Sequence, residues 1–502
     1  MLNKIIEITN KHLLLLLGGV FLLRIIYLFN NGLDLIGDES YYWDWSRRPD
    51  WCYYSKPPMV AWLIGVFTRL GGDWTAIVRL PAVILGTVFL IYFYFTARDF
   101  YNPKAAAIAL LLILAMPFNV LANLIMTIDP ALYCFWMISL YFLGKALFDK
   151  NLLAWVWAGL ASGAALLSKQ SALLLPLMVF VFILIDKDQH SQLKRGFLLY
   201  LAPIMLCMVP LVIWNLQHDW VMLDHSKGHF ASKESIPYTV QLTNSAVFVL
   251  YQLLLATPVI FVLILLMSVN ACFKFTRLNP REQFLMLTGP ILLLAILMLS
   301  LLQKVQGNWP VSCYFSALIL LAGRWVQVNW QKWLKIGMLI GYLMVALTYA
   351  LPVAIQVFNL HNSVVDPTFR FRHWRELAGS IQTEREKIQA ASEQTFILAL
   401  GHRFLASQLA FYLPDHPRTF RYEASGRVLS QYEVWPGPTA YIGKNSFIIS
   451  EQSEAEVASE IKSAFQTFKE VAVIANPMNK NSSYHLFIGE NMKFWPPKSK
   501  QE

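Results

Sequence analysis

The chain has 502 residues, of which 56% are hydrophobic and only 14% are charged, and its mean hydropathy is +0.47. This composition lies outside the range of soluble globular enzymes. Apolar runs recur along the chain, and many reach the roughly 20 residues that a helix needs to cross a ~30 Å hydrocarbon core. The sequence therefore predicts a mainly α-helical, polytopic membrane protein.

The net charge of +10 would suit an anionic partner, but many of the basic residues stand in short loops between apolar runs. Membrane topology explains that share of the charge, so no nucleic-acid partner is expected. The five cysteines have no paired spacing, which argues against both a disulfide framework and a cysteine-based zinc site.

The first apolar run, about residues 13–29, is not followed by a small-residue cleavage site and predicts an uncleaved first span. Arg24 within it is expected to snorkel toward an interface. Ten further spans, eleven in all, are predicted at about residues 75–97, 105–122, 130–147, 151–168, 170–186, 196–214, 244–268, 283–302, 309–323 and 334–356.

With the N-terminus inside, every predicted cytoplasmic loop is basic, as the positive-inside rule requires. These loops carry Arg98, Lys104, Lys145, Lys150, Lys187, Lys194, Arg195, Lys274, Arg277, Arg281, Arg324, Lys332 and Lys335. Span parity then predicts that residues 30–57, 215–243, 303–308 and everything from about 357 face the periplasm of a bacterial inner membrane.

The sequence divides into a membrane module, residues 1–356, and a small C-terminal α/β domain, residues 357–502. Within the module, residues 30–74 form the first periplasmic loop, and its apolar stretch Met59–Leu70 is too short for a span and predicts an interfacial or re-entrant helix. In the C-terminal domain, we predict a helix over Trp374–Ala391, a strand over Thr395–Leu400 and a second buried strand over Val471–Ala475.

The first periplasmic loop concentrates acids, bases and aromatic residues beside the membrane. Asp38 and Glu39 can hold a divalent cation, act as a base toward an acceptor hydroxyl, or stabilise positive charge at an anomeric carbon. Lys56 can bind a phosphate, and the two prolines that follow it stiffen the backbone. A further acid, Asp129, stands at the outer end of a span, where an unpaired carboxylate is costly.

Four features together resemble the C-type membrane glycosyltransferases of family 39, which include the protein O-mannosyltransferases and the bacterial lipid A aminoarabinose transferase. They are Asp38-Glu39, the block Tyr53-Tyr54-Ser55-Lys56-Pro57-Pro58, the triplet Arg79-Leu80-Pro81, and Asp129-Pro130. The resemblance covers about the first 230 residues well and the later spans more loosely. Tyr41 and Ser55 depart from the aminoarabinose transferases, which tend to have Arg and an acid there, so the sugar is not fixed.

The resemblance implies that Asp38 is the catalytic acid, that Asp129 is a second functional acid, and that Lys56 and Lys169 bind the carrier phosphate. Glu39 is grouped with the catalytic acids, and Asp38 with Asp129 would be the ligands of a divalent metal if one is used. A possible substrate groove comprises Tyr54, Arg79, His225, Asn308 and Trp309. For His225, which stands four residues before His229, a metal site and a solvated interfacial histidine both remain open, and interfacial anchoring is the alternative for Trp309.

The predicted activity is inverting transfer of a sugar from a polyprenyl-phosphate donor to a lipid or glycolipid acceptor, preferably lipid A or another lipopolysaccharide component. The C-terminal domain is expected to recognise the acceptor or to cap the cavity. A lipid-linked sugar flippase, a ligase of lipid-linked glycans and use of a protein acceptor, as in the mannosyltransferases, are the alternatives.

Overall fold

The computed structural model describes residues 2–186, 188, 195–230, 238–324, 331–358, 360, 366, 368–388, 395–479 and 481–496. A helical part comes first and a sheet domain follows it. The helices of the first part are α1 (Leu2–Lys11), α2 (Leu13–Asn30), α3 (Gly37–Ser46), α4 (Met59–Gly71), α5 (Thr75–Phe100), α6 (Pro103–Leu114), α7 (Pro117–Leu124), α8 (Ile128–Phe148), α9 (Leu152–Ser168), α10 (Leu174–Ile185), α11 (Gly196–Gln217), α12 (Val221–Phe230), α13 (Tyr238–Ala256), α14 (Pro258–Phe273), α15 (Pro280–Thr288), α16 (Pro290–Ser300), α17 (Val311–Arg324) and α18 (Gln331–Val357).

Seven helices among the described residues are long and apolar enough to cross a membrane, or eight if α6 and α7 form one bent span. Five shorter apolar helices of 10–17 residues accompany them. The expected multi-pass membrane protein is thus confirmed, and the number eleven stays a prediction. The stretch predicted to be an interfacial helix forms the 13-residue α4, which buries Val60, Ala61 and Ile64 against its neighbours.

Two spans predicted to be continuous are broken in the structure, and both breaks stand before a proline. The helix predicted over 105–122 bends by 70° between α6 and α7, immediately before Pro117. The one predicted over 244–268 divides at Thr257, whose φ is +66°, before Pro258. A proline lacks the N–H of a helical hydrogen bond and disfavours helical backbone in the residue before it. Hydropathy alone does not predict these two helix breaks, because the segments on both sides of each break are apolar.

Segments predicted to lie on the same membrane side meet one another in the structure. On the side of the basic loops, Lys145 pairs with Asp99 at 2.8 Å, and the Arg281 guanidinium lies 3.5 Å from the Asp149 carboxylate. Lys187 and Lys194, which were also assigned to this side, lie outside the described residues.

Arg24 does not snorkel, contrary to prediction. Only 1% of its side chain is exposed, and its guanidinium donates a hydrogen bond of 3.3 Å to the backbone oxygen of Asn119 in α7. The buried arginine therefore ties the first span to the bent helix pair, and a backbone carbonyl meets part of its need for acceptors.

The C-terminal sheet domain contains five strands in the order β2-β1-β3-β5-β4. β1 is parallel to β2 and β3, and the β3–β5 and β5–β4 pairs are antiparallel. Its elements are α19 (Trp374–Lys387), β1 (Thr395–Leu400), α20 (Arg403–Tyr412), β2 (Thr419–Arg421), α21 (Gln431–Val434), β3 (Asn445–Ser450), α22 (Ser459–Ser463), β4 (Phe465–Ala475) and β5 (Ser483–Met492).

Strand β1 has the bounds predicted for it, and both of its faces are covered. Ile397 and Ala399 pack into a core shared with α3 and α20, whereas Phe396 and Leu398 pack into a second core on the other face. Burial on both faces explains the continuous apolar run of a central strand. The prediction of a buried strand over Val471–Ala475 is wrong in one respect, because β4 is an edge strand and Val473 is 54% exposed.

The sheet domain docks on α3, the helix that follows the first span. Ser40 and Ser407 share a hydrogen bond of 2.9 Å, and the buried Asp44 carboxylate accepts one of 2.7 Å from the Tyr432 hydroxyl. The Asp34 carboxylate accepts the Trp374 N–H at the start of α19 at 3.0 Å. These bonds place the sheet domain directly over the segment predicted to carry the chemistry.

Candidate functional site

Asp38 is the second residue of α3, and its carboxylate has no hydrogen-bond or ion-pair partner among the residues that the structure describes. Burial raises the pKa of Asp38, and the nearby charges of Arg403 and Lys56 oppose that rise. A desolvated carboxylate with a raised pKa is a stronger base than an exposed one.

Glu39, the next residue, has a different environment. It is fully buried, and the Arg79 guanidinium donates to both of its oxygens at 2.8 and 2.7 Å. The same carboxylate accepts the backbone N–H groups of Ile36 and Met126. All of its acceptor capacity is used, so we assign Glu39 a positioning role and not the direct catalytic role that the sequence suggested.

Arg79 likewise does not line a groove. It is 2% exposed, and besides Glu39 it donates to the carbonyl oxygens of Leu33 and Asp34 at 3.1 and 2.6 Å. The pair therefore fixes the backbone that leads into α3 against α5 and the start of α8. This anchoring determines the direction in which Asp38 points.

Lys56 lies in the loop between α3 and α4, and its ammonium group is half-buried. Like Asp38, it makes no hydrogen bond or ion pair with any described residue. Burial and the neighbouring Lys169 lower the pKa of Lys56, while Asp38 and Asp129 oppose that shift. An unpaired, partly desolvated cation is suited to binding a phosphate.

Asp129 and Lys169 form an ion pair of 2.8 Å, and Asn308 donates to the second carboxylate oxygen of Asp129 at 2.7 Å. Asp129 begins α8, Lys169 follows α9, and Asn308 precedes α17. The structure thus unites three residues that were predicted separately. Both oxygens of Asp129 are therefore occupied, and the ion pair fixes the position of the Lys169 ammonium group.

The metal predicted at Asp38 and Asp129 finds a poor set of ligands. No group of three histidine, cysteine, aspartate or glutamate side chains that could hold a metal occurs among the residues the structure describes. Asp129 already binds an ammonium and an amide, and cations surround Asp38. A divalent cation would have to displace these partners and to approach like charges, so the residues present do not fit a divalent metal at this place.

Tyr54 and His225, both predicted to line the groove, contact each other. Their rings lie 4.7 Å apart, and the His225 Nδ1 is 3.2 Å from the Tyr54 hydroxyl. The Tyr54 N–H donates to the side chain of Gln431 at 2.6 Å, which connects this pair to the sheet domain. Trp309 lies in the turn beside Asn308, and the side chain of His229 lies outside the described residues.

Arg403 is the site residue that sequence reasoning missed. It begins α20, and its guanidinium lies 5.6 Å from the ring centre of Tyr41, one helical turn beyond Asp38. Among the neighbouring charged groups, Arg403 has the largest effect on the pKa of Asp38, which it lowers. Arg403 follows the carboxyl end of β1, where parallel sheets commonly carry functional side chains. This position after the predicted strand is the feature of the sequence that could have indicated Arg403 as a site residue.

The site therefore contains three cations, Lys56, Lys169 and Arg403, and two acids. One cation and one acid neutralise each other in the Asp129–Lys169 pair. Among the described residues, this leaves Lys56 and Arg403 without an ion-pair partner near the Asp38 carboxylate, which also has none. This arrangement can bind an anionic group and place a base beside it.

Comparisons with known proteins agree with this description. Residues 55–214 match the dolichyl-phosphate-mannose-protein mannosyltransferase family. The chain is 29% identical to the lipid A galacturonosyltransferase RgtD of Rhizobium johnstonii over 336 residues, which is 65% of this chain and 68% of that protein.

Two crystal structures of ArnT from Cupriavidus metallidurans share the fold at 17% identity. They cover 95% of this chain and 98% of ArnT, with a TM-score of 0.61 for the apo state and 0.64 for the state bound to undecaprenyl phosphate. In fold and in sequence, the chain is therefore similar to multi-pass membrane glycosyltransferases. Within that class, the expected resemblance to family 39 is confirmed.

Proposed function

We propose that the protein transfers a sugar from a polyprenyl-phosphate carrier to lipid A. The observation that carries this proposal is the Asp38 carboxylate with the cations Lys56 and Arg403 near it, none of which forms an ion pair with another described residue. Support for the acceptor comes from the relative named as a lipid A galacturonosyltransferase, and support for the carrier comes from the ArnT structure with undecaprenyl phosphate.

The chemistry is an inverting single displacement. Lys56 and Arg403 bind the phosphodiester that joins the sugar to the polyprenyl chain, and they stabilise the charge that develops as its bond to the anomeric carbon breaks. The acceptor hydroxyl attacks that carbon from the opposite face while Asp38 takes its proton. The products are the glycosylated acceptor and the polyprenyl phosphate, which leaves with the electron pair of the broken bond.

The Asp129–Lys169 pair supports this reaction indirectly, through its position near Lys56. Asp129 neutralises the Lys169 charge and fixes the position of the Lys169 ammonium group near Lys56. Fixed charges need no reorganisation when the transition state forms, which is the main source of electrostatic catalysis. Loss of Asp129 should therefore act through the position of Lys169.

We place the reaction at the periplasmic face of the inner membrane. The first loop, residues 303–308 and the sheet domain converge on the site, whereas the basic loops meet at the other end of the helices. The positive-inside rule assigns the basic end to the cytoplasm. The site then faces the compartment in which lipopolysaccharide acceptors are modified.

The test is sugar transfer by membranes that contain wild type, Asp38→Asn or Lys56→Ala, with lipid A as acceptor. Radiolabelled polyprenyl-phosphate donors of galacturonic acid, aminoarabinose and mannose are compared. Wild type should transfer one of them, and Asp38→Asn should lose about 100-fold or more in rate, the usual contribution of a general base.

Matched controls separate chemistry from folding. Asp188→Asn and Lys104→Ala change exposed residues of the same types and should leave transfer unchanged. Equal amounts and equal thermal stability of all variants in detergent are required. Full activity of Asp38→Asn would contradict the proposed mechanism, and absence of transfer by wild type from every donor would favour a carrier-lipid transporter.

A further inference from the structure

A second cavity, of about 280 Å³, lies in the sheet domain outside the catalytic cluster. Most of its lining residues belong to three segments, 420–427, 432–437 and 495–496, and Glu460 completes the lining. The volume is close to the lower end of the ~300–1,000 Å³ range of small-molecule sites. A sugar ring or two therefore fits it, whereas an acyl or polyprenyl chain does not.

Aromatic side chains form part of this cavity. Tyr422 and Trp495 meet edge to face with ring centres 5.7 Å apart, and Trp435 contributes a further indole. The two tryptophans are half-buried, so each presents part of its surface. Aromatic faces of this kind pack against the C–H face of a sugar ring and keep the hydroxyl edges free for hydrogen bonds.

Fixed polar groups accompany the aromatic ones. Arg421 is held by Glu433 at 2.6 Å and by Glu423 at 2.5 Å, so these side chains are pre-oriented. Arg427 and Glu460 line the same cavity. Carboxylates accept hydrogen bonds from hydroxyls and guanidinium groups donate to them, so the lining satisfies both functions of a sugar hydroxyl.

The balance of charge selects among sugar-containing ligands. The lining holds two arginines and three glutamates, which gives a formal charge of −1. A negative cavity disfavours the phosphate of a carrier lipid, which the cations Lys56 and Arg403 attract instead. The cavity consequently suits the hydroxyl-bearing part of a ligand whose anionic groups lie elsewhere.

The cavity is joined to the catalytic site through Gln431. The Gln431 side-chain oxygen accepts the Tyr54 N–H at 2.6 Å, and the Gln431 backbone N–H donates to the Tyr41 hydroxyl at 2.5 Å. Gln431 immediately precedes Tyr432 and Glu433, which line the cavity. A ligand held there would lie beside the Tyr54 edge of the site.

We infer that this cavity is an acceptor subsite that binds a sugar ring of the lipid headgroup while the reacting hydroxyl lies near Asp38. The inference rests on the proposed function, because it divides that reaction into a donor region at Lys56 and Arg403 and an acceptor region in the sheet domain. It assigns acceptor recognition to residues 420–437 and 495–496.

The test measures binding and turnover separately on the full chain in detergent. The probe is the deacylated lipid A headgroup, a phosphorylated glucosamine disaccharide, titrated calorimetrically. Arg427→Ala removes a donor, and Gly437→Ala adds a methyl group 2.5 Å from the Trp495 Nε1. Arg427→Ala should raise the headgroup Kd about tenfold, as expected for the loss of a hydrogen bond to a charged group. Gly437→Ala should raise it by a similar factor because the Trp495 ring must move, and both variants should raise the acceptor KM with an unchanged donor KM.

Lys469→Ala, an exposed change on β4, is the matched control and should leave both constants unchanged. Headgroup affinity within twofold of wild type in both cavity variants would overturn the inference, and so would a rise in donor KM instead of acceptor KM. Wild type that binds the headgroup through this cavity but transfers no sugar would refute the proposed reaction and leave the subsite standing.

Discussion

Asp38 and Glu39 are adjacent acids with opposite functions, and helix geometry separates them. Consecutive residues of a helix point about 100° apart, so Glu39 turns into the protein toward Arg79 while Asp38 turns toward the cations. Glu39 uses every acceptor position, and Asp38 uses none within the described residues. The difference between a structural and a reactive carboxylate thus arises from one residue of helical rotation.

The raised pKa of Asp38 predicts the acid limb of the pH–rate profile. Asp38 must be deprotonated to accept a proton, so kcat/KM should fall as the pH falls through its raised pKa. Arg403 opposes this rise, and Arg403→Ala should therefore move the acid limb to higher pH and raise the donor KM. Arg403→Lys keeps the charge and should restore most of the profile.

The profile is measured with saturating acceptor, and Arg418→Ala, which changes an exposed arginine of the same domain, serves as control. A limb that moves to lower pH in Arg403→Ala would show that the guanidinium does not act on Asp38. An unchanged donor KM in Arg403→Ala would show that Arg403 does not bind the donor phosphate.

Several site residues could be predicted from the sequence, because their chemistry is visible without a partner. Asp38, Lys56, Asp129, Lys169 and Asn308 were predicted one by one, and the structure brings them together. The roles of the other site residues depend on which residues they contact in the folded protein. Nothing in the sequence shows that Glu39 and Arg79 satisfy each other, or that α20 delivers Arg403 across hundreds of residues.

At the scale of elements, the Glu39–Arg79 pair anchors α3 to α5. Removal of one partner leaves a buried, uncompensated charge, which costs about 3–5 kcal/mol. Glu39→Gln and Arg79→Met should each lower the thermal unfolding midpoint strongly. The double variant leaves no unpaired charge and should recover part of the loss.

Thermal unfolding in detergent distinguishes these cases. Lys227→Met breaks the exposed Asp224–Lys227 pair and should cost less than about 1 kcal/mol. If the losses of the two buried single variants simply added in the double variant, the anchoring role would be incorrect.

The bent helix pair α6–α7 depends on close packing against α5. A Cβ atom at Gly86 would coincide with the Asn123 carboxamide, which also donates to the Asn119 side chain at 2.9 Å. Gly86→Ala should therefore cost about 1–3 kcal/mol through overpacking. Gly18→Ala is the matched control, because nothing lies within 4 Å of its added methyl group.

The unfolding midpoint again provides the measurement, and combining Gly86→Ala with Asn123→Ala should relieve the clash. Equal midpoints for Gly86→Ala and Gly18→Ala would mean that α7 moves away without cost. The bend itself was not predictable from hydropathy, since both halves are apolar and only Pro117 marks the break.

At the scale of the whole molecule, the sheet domain and α3 share one core. Trp43 and Trp45 of α3 are fully buried in the cluster that contains Ile397 and Leu409 of the sheet domain. The pattern of the sequence predicted strand β1 of this domain with the bounds that the structure shows. It did not predict the docking surface, because the aromatic residues of α3 fit an interfacial anchor equally well.

Docking should be sensitive to the hydrogen bond between the Tyr432 hydroxyl and Asp44. Tyr432→Phe leaves a buried carboxylate oxygen without that partner and should weaken docking by about 1–3 kcal/mol. The expected result is faster trypsin cleavage of the sheet domain in the otherwise intact protein, together with slower transfer.

Tyr441→Phe, a change in the same domain away from α3, is the control and should leave the cleavage rate unchanged. Cleavage of Tyr432→Phe at the wild-type rate would show that apolar packing alone fixes the domain.

The two halves of the site are synthesised at different times. Ser40 and Ser407, which join them, are 367 residues apart in the chain. At about 5–20 residues per second, the ribosome needs roughly 20–70 seconds to pass from one to the other. During that interval Asp38 has been made, but the Arg403 guanidinium whose charge acts on it does not yet exist. The nascent chain therefore lacks one half of the proposed site until α20 has been made, and we expect premature termination before α20 to give a membrane-inserted product without a complete site.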